Sequence, residues 1–182
     1  MRMRYSASSI PSLKNRTVFF DANSLIYIFW STSPDAQEAT DYGSIMATLI
    51  KNEAKLVVNE IVISEIINRV LRLEFYKSDM PKDKFKEYRD SPEGKSVQAD
   101  INEIIKNRIL NRFQISNDSF SKEELNSILT VTTLDFNDKL IELLCKKKNM
   151  ILLTHDYDFS ESDVDILSAN KKFKSKKNIR IV

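Results

Sequence analysis

Apolar residues along this chain fall into short runs broken by polar turns, and their spacing alternates between the two-residue period of a strand and the wider period of a helix. The run Thr17-Val18-Phe19-Phe20 drives into Asp21 and Asn23, after which Leu25, Ile26, Ile28 and Phe29 resume the apolar pattern. That order predicts a buried strand, a polar turn and a helix. After a turn at 31–35, a helix is expected over 42–53 and a short strand over 55–58, with Asn59 placed to cap the next helix. From Ile61 onward, Ile63, Ile66, Ile67, Val70, Leu71 and Phe75 trace a helical stripe, and Glu65 lies roughly opposite it.

Between 80 and 126, Pro81 and Pro92-Glu93-Gly94 punctuate the pattern, Val97 to Leu110 keep helical spacing, and Ser121 suits a helix N-cap. This stretch reads as a helical insertion within one domain spanning 1–182. Residues 128–134 predict a strand, and Asp135 opens a helix that ends near three successive lysines, Lys146 to Lys148. A buried strand is expected over 150–154, another over 165–168, and a short last one over 178–182. Alternation of this kind argues for an α/β fold.

Composition narrows the chemistry mainly by what it leaves out. With only Gly43 and Gly94 in the chain, neither a P-loop nor a dinucleotide-binding GxGxxG turn can be built. A lone histidine, His155, and a lone cysteine, Cys145, exclude a His/Cys zinc cluster and an internal disulfide, and no GxSxG elbow occurs. One cysteine fits a reducing cytoplasm, and no stretch has the length or apolarity of a membrane span or signal peptide. Charge is unevenly spread: 171–182 carries six basic residues and no acid, while 1–170 carries twenty-two basic and twenty-six acidic residues. Such a tail suits a nucleic-acid partner, although charge runs are also ordinary solvated surface.

What remains for chemistry is carboxylate. Asp21 and Asp156 end strands, while Glu65 and Asp138 fall in the first turns of helices that come after strands. Each has an ordinary role open to it as a helix cap or as an acid complementing the helix dipole. In a parallel sheet, however, all four would meet at one edge, where their repulsion is costly unless a cation neutralises it. Oxygen-only ligands select a hard ion, Mg²⁺ or Mn²⁺.

The stretches VFFDANSLI, VVNEIVISEIINRV, DFNDKLIELLCKKKNMILLTHDYDF and VDILSANKK together resemble the PIN domain family, metal-dependent ribonucleases that include the toxin of VapBC-type toxin–antitoxin pairs. Asp21, Glu65, Asp138 and Asp156 match the family's acids in order, with eighteen residues from Asp138 to Asp156. The resemblance implies a three-layer fold with a central parallel sheet of about five strands in the order 3-2-1-4-5 and helices on both faces. It implies an Mg²⁺- or Mn²⁺-dependent endoribonuclease, with the four acids as catalytic residues and metal ligands and Asn23, Thr154 and Asp158 supporting them. His155 holds the variable position of the motif and is expected to be a spacer. Lys139, Lys171, Lys172 and Lys174 are candidate RNA contacts. RNA, an antitoxin protein and a second copy of the chain are the partners implied, and no membrane. A non-catalytic scaffold of the same fold that binds RNA or protein is the alternative. A phosphatase of the haloacid-dehalogenase type fits less well, because Asn23 stands where its second aspartate belongs.

Overall fold

Strand β2, Thr17–Phe20, forms where the sequence places it, because Val18, Phe19 and Phe20 have a buried face on either side. The computed structural model describes residues 3–30, 36–175 and 180–181. Around β2 lies a fully parallel sheet of seven strands: β1 Met3–Tyr5, β2, β3 Lys55–Val58, β4 Gln114–Ile115, β5 Ile151–Leu153, β6 Asp165–Leu167 and β7 Arg180–Ile181. Their spatial order is β4-β3-β2-β5-β6-β1-β7.

The inner five strands, counted from β2, follow the expected 3-2-1-4-5 order, and β1 and β7 extend one edge. The helices are α1 Ala22–Phe29, α2 Ala36–Lys51, α3 Glu60–Lys77, α4 Phe85–Asp90, α5 Pro92–Ile104, α6 Lys122–Ile128 and α7 Phe136–Lys148. Helix α1 packs on α2 and α3, and α3 on α4 and α5, whereas α7 packs with α6 and β5. Strand order reverses between β2 and β5, so right-handed crossovers place the two helical sets on opposite faces and open a crevice at the reversal.

Three elements depart from the sequence expectations. Residues 128–134 are not a strand: the capping box of Ser121 and Glu124 starts α6, which runs through Ile128, and the chain then loops to Asp135. Residues 129–133 have little to bury them; Leu129 is 66% exposed and the β-branched Val131 fully so, and strand propensity needs a half-buried surface to act on. The sheet position they were expected to fill belongs to β4, so the segment 80–126 contributes a strand as well as helices. Strand β1 lacks an apolar centre because Arg4 occupies it, with a buried guanidinium donating to the carbonyls of Val164 (2.7 Å), Ser162 (2.9 Å) and Ser160 (3.3 Å).

Helix α7 turns into β5 through Asn149, in the left-handed region at φ 50° and donating its N–H to the carbonyls of Cys145 and Lys146. Asparagine tolerates that conformation better than other residues with a side chain. Met150 N–H then closes back on the Cys145 carbonyl at 2.9 Å, and the chain enters the core directly.

Candidate active site

Phe20 pairs with Leu153 across β2 and β5, so the next residues along each strand, Asp21 and Thr154, emerge side by side at the reversal point. Asp21 N–H donates to the Leu153 carbonyl at 3.0 Å. Its carboxylate is buried and caps α1: one oxygen accepts from Ala22 N–H at 2.7 Å, the other from Thr154 Oγ1 at 2.7 Å. The cap expected for Asp21 is present, and the same carboxylate stands at the reversal point. Burial pushes its carboxyl up to about 6; the Thr154 bond opposes this, the charge of Glu65 adds to it, and Ala22 and Arg69 oppose it again.

The Thr154 hydroxyl also accepts from Asp156 N–H at 2.9 Å and from Asn23 Nδ2 at 3.3 Å. Asn23 in turn accepts from His155 N–H at 3.0 Å. These bonds lock the turn after β5 onto the start of α1. Asp156 caps the short 3-10 turn Tyr157–Glu161, accepting from Asp158 N–H at 2.9 Å, and Asp158 itself is exposed.

Asp138 sits in the first turn of α7, half-buried, while Asp135 caps that helix by accepting from Asp138 N–H at 2.9 Å. Its carboxyl is pushed up to about 7, first by burial and then by the charges of Asp135, Asp21, Asp156 and Glu65. The charges of Asp21, Asp156 and Glu65 thus all act on Asp138, and that of Glu65 acts on Asp21 as well. Glu65 is nonetheless turned to Arg69, one turn along α3, with Oε1 3.0 Å from the guanidinium. The pair lines an open groove of about 630 Å³ with Glu60, Ser64, Asn68 and Asp135.

Among the described residues, no three His, Cys, Asp or Glu side chains lie close enough to hold a metal ion as they stand. The chemistry of the donor set still fits a hard cation. It is all oxygen, and Asp138 gives up its proton with difficulty, first because it is buried and then because of the charges of four other acids.

His155 belongs to a different cluster. Its ring meets Tyr27 and Tyr42 edge-on, and Nδ1 lies 3.1 Å from the Tyr42 hydroxyl, which also donates to the Thr154 carbonyl at 3.1 Å. Burial lowers its pKa, which favours the neutral ring. Asn170 Nδ2 donates to the His155 carbonyl at 2.7 Å and so ties the start of the basic tail to the site turn. Lys172, with its ammonium 6.0 Å from the Tyr157 ring centre, stands at that rim. Lys171 opens the short 3-10 turn Lys171–Ser175, in which Lys172 also lies. Lys139 donates to the Thr130 carbonyl. The side chain of Lys174 lies outside the described residues.

Three participants were not anticipated. Arg69 could have been found from its four-residue spacing to Glu65. Tyr42 lies far from the motif in sequence and carries no local signal, and Asn170 lies within the stretch VDILSANKK without a feature that marks it.

A family model described as a PIN domain matches residues 18–165. Among solved structures, VapBC2 from Rickettsia felis, bound to a DNA fragment from its promoter, aligns with a TM-score of 0.52 and 15% identity over 84% of this chain and 98% of its own. FitAcB from Neisseria gonorrhoeae aligns with a TM-score of 0.52 and 15% identity over 82% and 96%. No curated protein matches the chain.

Proposed function

The chain belongs to the PIN domain family, and from that premise we propose that it is a metal-dependent endoribonuclease leaving a 5′-phosphate and a 3′-hydroxyl. The observation that carries the proposal is the placement of Asp21 and Asp156 at the adjoining ends of β2 and β5, both bonded to Thr154 Oγ1, with Asp138 and Glu65 near enough for their charges to act there. These four would hold a divalent ion, Mg²⁺ or Mn²⁺. Bound there, the ion supplies an acidified water and positive charge beside the leaving oxygen of a phosphodiester.

The chain's own residues prepare that place. Thr154 and the Ala22 N–H fix both oxygens of Asp21, so its position costs nothing to organise on binding. Asn23 holds the backbone of His155 and so sets where Asp156 begins. Glu65 must leave Arg69 to join the other acids, which frees a guanidinium at the groove edge. Lys139, Lys171, Lys172 and Lys174 would meet the RNA backbone, giving affinity without sequence choice. The likeness to VapBC2 and FitAcB extends the proposal to a toxin restrained by an antitoxin, whose basic side chain would enter the acidic crevice.

The second reading is a scaffold that binds RNA or protein without cutting, and the absence of a closed ligand cluster among the described residues favours it. One experiment separates the two. Labelled single-stranded RNA is incubated with the protein in Mg²⁺ or Mn²⁺, in chelator, and beside Asp138→Asn. Metal-dependent cutting that disappears in the variant supports the nuclease; binding without cutting in either metal supports the scaffold.

A further inference from the structure

The loop between α6 and α7, expected to be a strand, instead closes a second cavity distinct from the groove beside Glu65. It is a half-open hollow of about 280 Å³ between Thr130, Thr133 and Leu134 of the loop, Lys139 and Leu143 of α7, and Asp158 beyond β5. We propose that this cavity is a subsite that receives one unstacked nucleobase of a single-stranded RNA whose adjoining phosphodiester lies at the four carboxylates. The proposal rests on the nuclease reading for its substrate but not for its geometry.

Place, shape and charge support it. Asp158, which lines the cavity, donates its N–H to Asp156 Oδ1 at 2.9 Å, so one wall of the cavity borders the acidic centre. The loop has no sheet partner, yet it is tied down. Thr133 Oγ1 donates to the Asp158 carbonyl at 3.4 Å, and Lys139 donates to the Thr130 carbonyl. The volume is at the small end for ligand pockets; it admits a base and excludes a duplex.

Leu134 and Leu143 offer apolar surface to a base's faces, while hydroxyls and charged groups around them suit its polar edge. The charges nearly cancel. Lys146 on this wall is 3.1 Å from Glu142, which favours an uncharged base over a phosphate. Among the described residues lining the cavity none is aromatic. Selection would therefore come from hydrogen bonds to the base edge, the mode by which splayed-out bases of single-stranded RNA are read.

The test has two arms. In chelator, the 5′-monophosphates of adenosine, guanosine, cytidine and uridine are each titrated into the full chain, with ligand-observed saturation-transfer NMR reporting contact at the base protons. The expected result is contact for at least one base, weakened about tenfold by Thr130→Trp, which fills the cavity from its exposed rim. No contact for any of the four, or contact unchanged in Thr130→Trp, overturns the subsite.

In the second arm a random single-stranded RNA pool is cut in Mn²⁺ and the new ends are sequenced. Wild type should prefer one base beside the cut, and Thr130→Trp should lose that preference. Random ends from wild type overturn the subsite and leave the nuclease standing. Base contact in the first arm with no cutting in the second supports the subsite and removes the nuclease.

Discussion

Thr154 carries more of the site than its size suggests, because its one hydroxyl has one donor and two acceptor positions and uses all three: toward Asp21, from Asp156 N–H and from Asn23. Replacing it with valine keeps the shape and strands two buried polar groups, at a cost of about 1–3 kcal/mol. Thr154→Ser, which restores the hydroxyl, should recover most of that loss in urea denaturation. Loss of the Thr154 bond also removes the first of the influences holding the Asp21 carboxyl down, so it should rise further above about 6 in Thr154→Val. An NMR titration of that carboxyl gives the check. Asp138 yields the complementary case. Its folded carboxyl titrates near 7, above its unfolded value, so the folded state retains a proton that the unfolded chain releases. This contribution to stability is therefore fully present at acid pH and is lost as pH rises through about 7. In metal-free buffer at pH 8, Asp138→Asn should be more stable than wild type by about 1–2 kcal/mol, allowing for solvent screening of a half-exposed group. At pH 4 the two should coincide. An equal difference at both pH values would mean that the acids do not sense one another.

At the scale of elements, the sequence was legible wherever propensity and burial agreed. Strand β2, helix α3 and the Asp135-capped α7 are all long or apolar enough for their pattern to survive tertiary context. It misled where they parted company. The residues of the loop before Asp135 have strand propensity but no surface to lie on, while β4, two exposed residues at a sheet edge, is held by its ladder to β3 and not by pattern. Strand β1 was hidden by the buried Arg4 at its centre, whose hydrogen bonds reach residues about 160 positions away. The turn from α7 to β5 shows the same dependence on a single residue. Because Asn149 sits at φ 50°, Asn149→Gly should be neutral or slightly stabilising. Asn149→Val, forced into the left-handed region, should cost about 1–2 kcal/mol. Thermal unfolding of the two variants measures the difference, and equal midpoints would mean that the turn relaxes freely.

For the whole molecule, the informative fact was order along the chain. The sequence placed Asp21 and Asp156 at strand ends, and the sheet brings those two strands together as neighbours at the reversal of strand order. What it could not supply was the distance between side chains or the Glu65–Arg69 pairing, which depend on how α3 and α7 lean over the sheet. The fold thus gathers negative charge at one edge and offsets only part of it through Arg69, and a cation that binds there must stabilise the native state. Ionised carboxylates bind better than protonated ones, so the gain should depend on pH. With Asp21 titrating near 6 and Asp138 near 7, Mn²⁺ or Mg²⁺ must displace protons at pH 5 and meets mostly ionised groups at pH 8. The melting temperature should therefore rise on adding the ion at pH 8, by an amount corresponding to about 2.7 kcal/mol at a hundredfold excess over its dissociation constant. It should rise much less at pH 5, and Asp138→Asn should remove most of the pH 8 gain. A shift of the same size at both pH values, or one that survives the substitution, would place the ion elsewhere and leave the four acids as caps and surface charge.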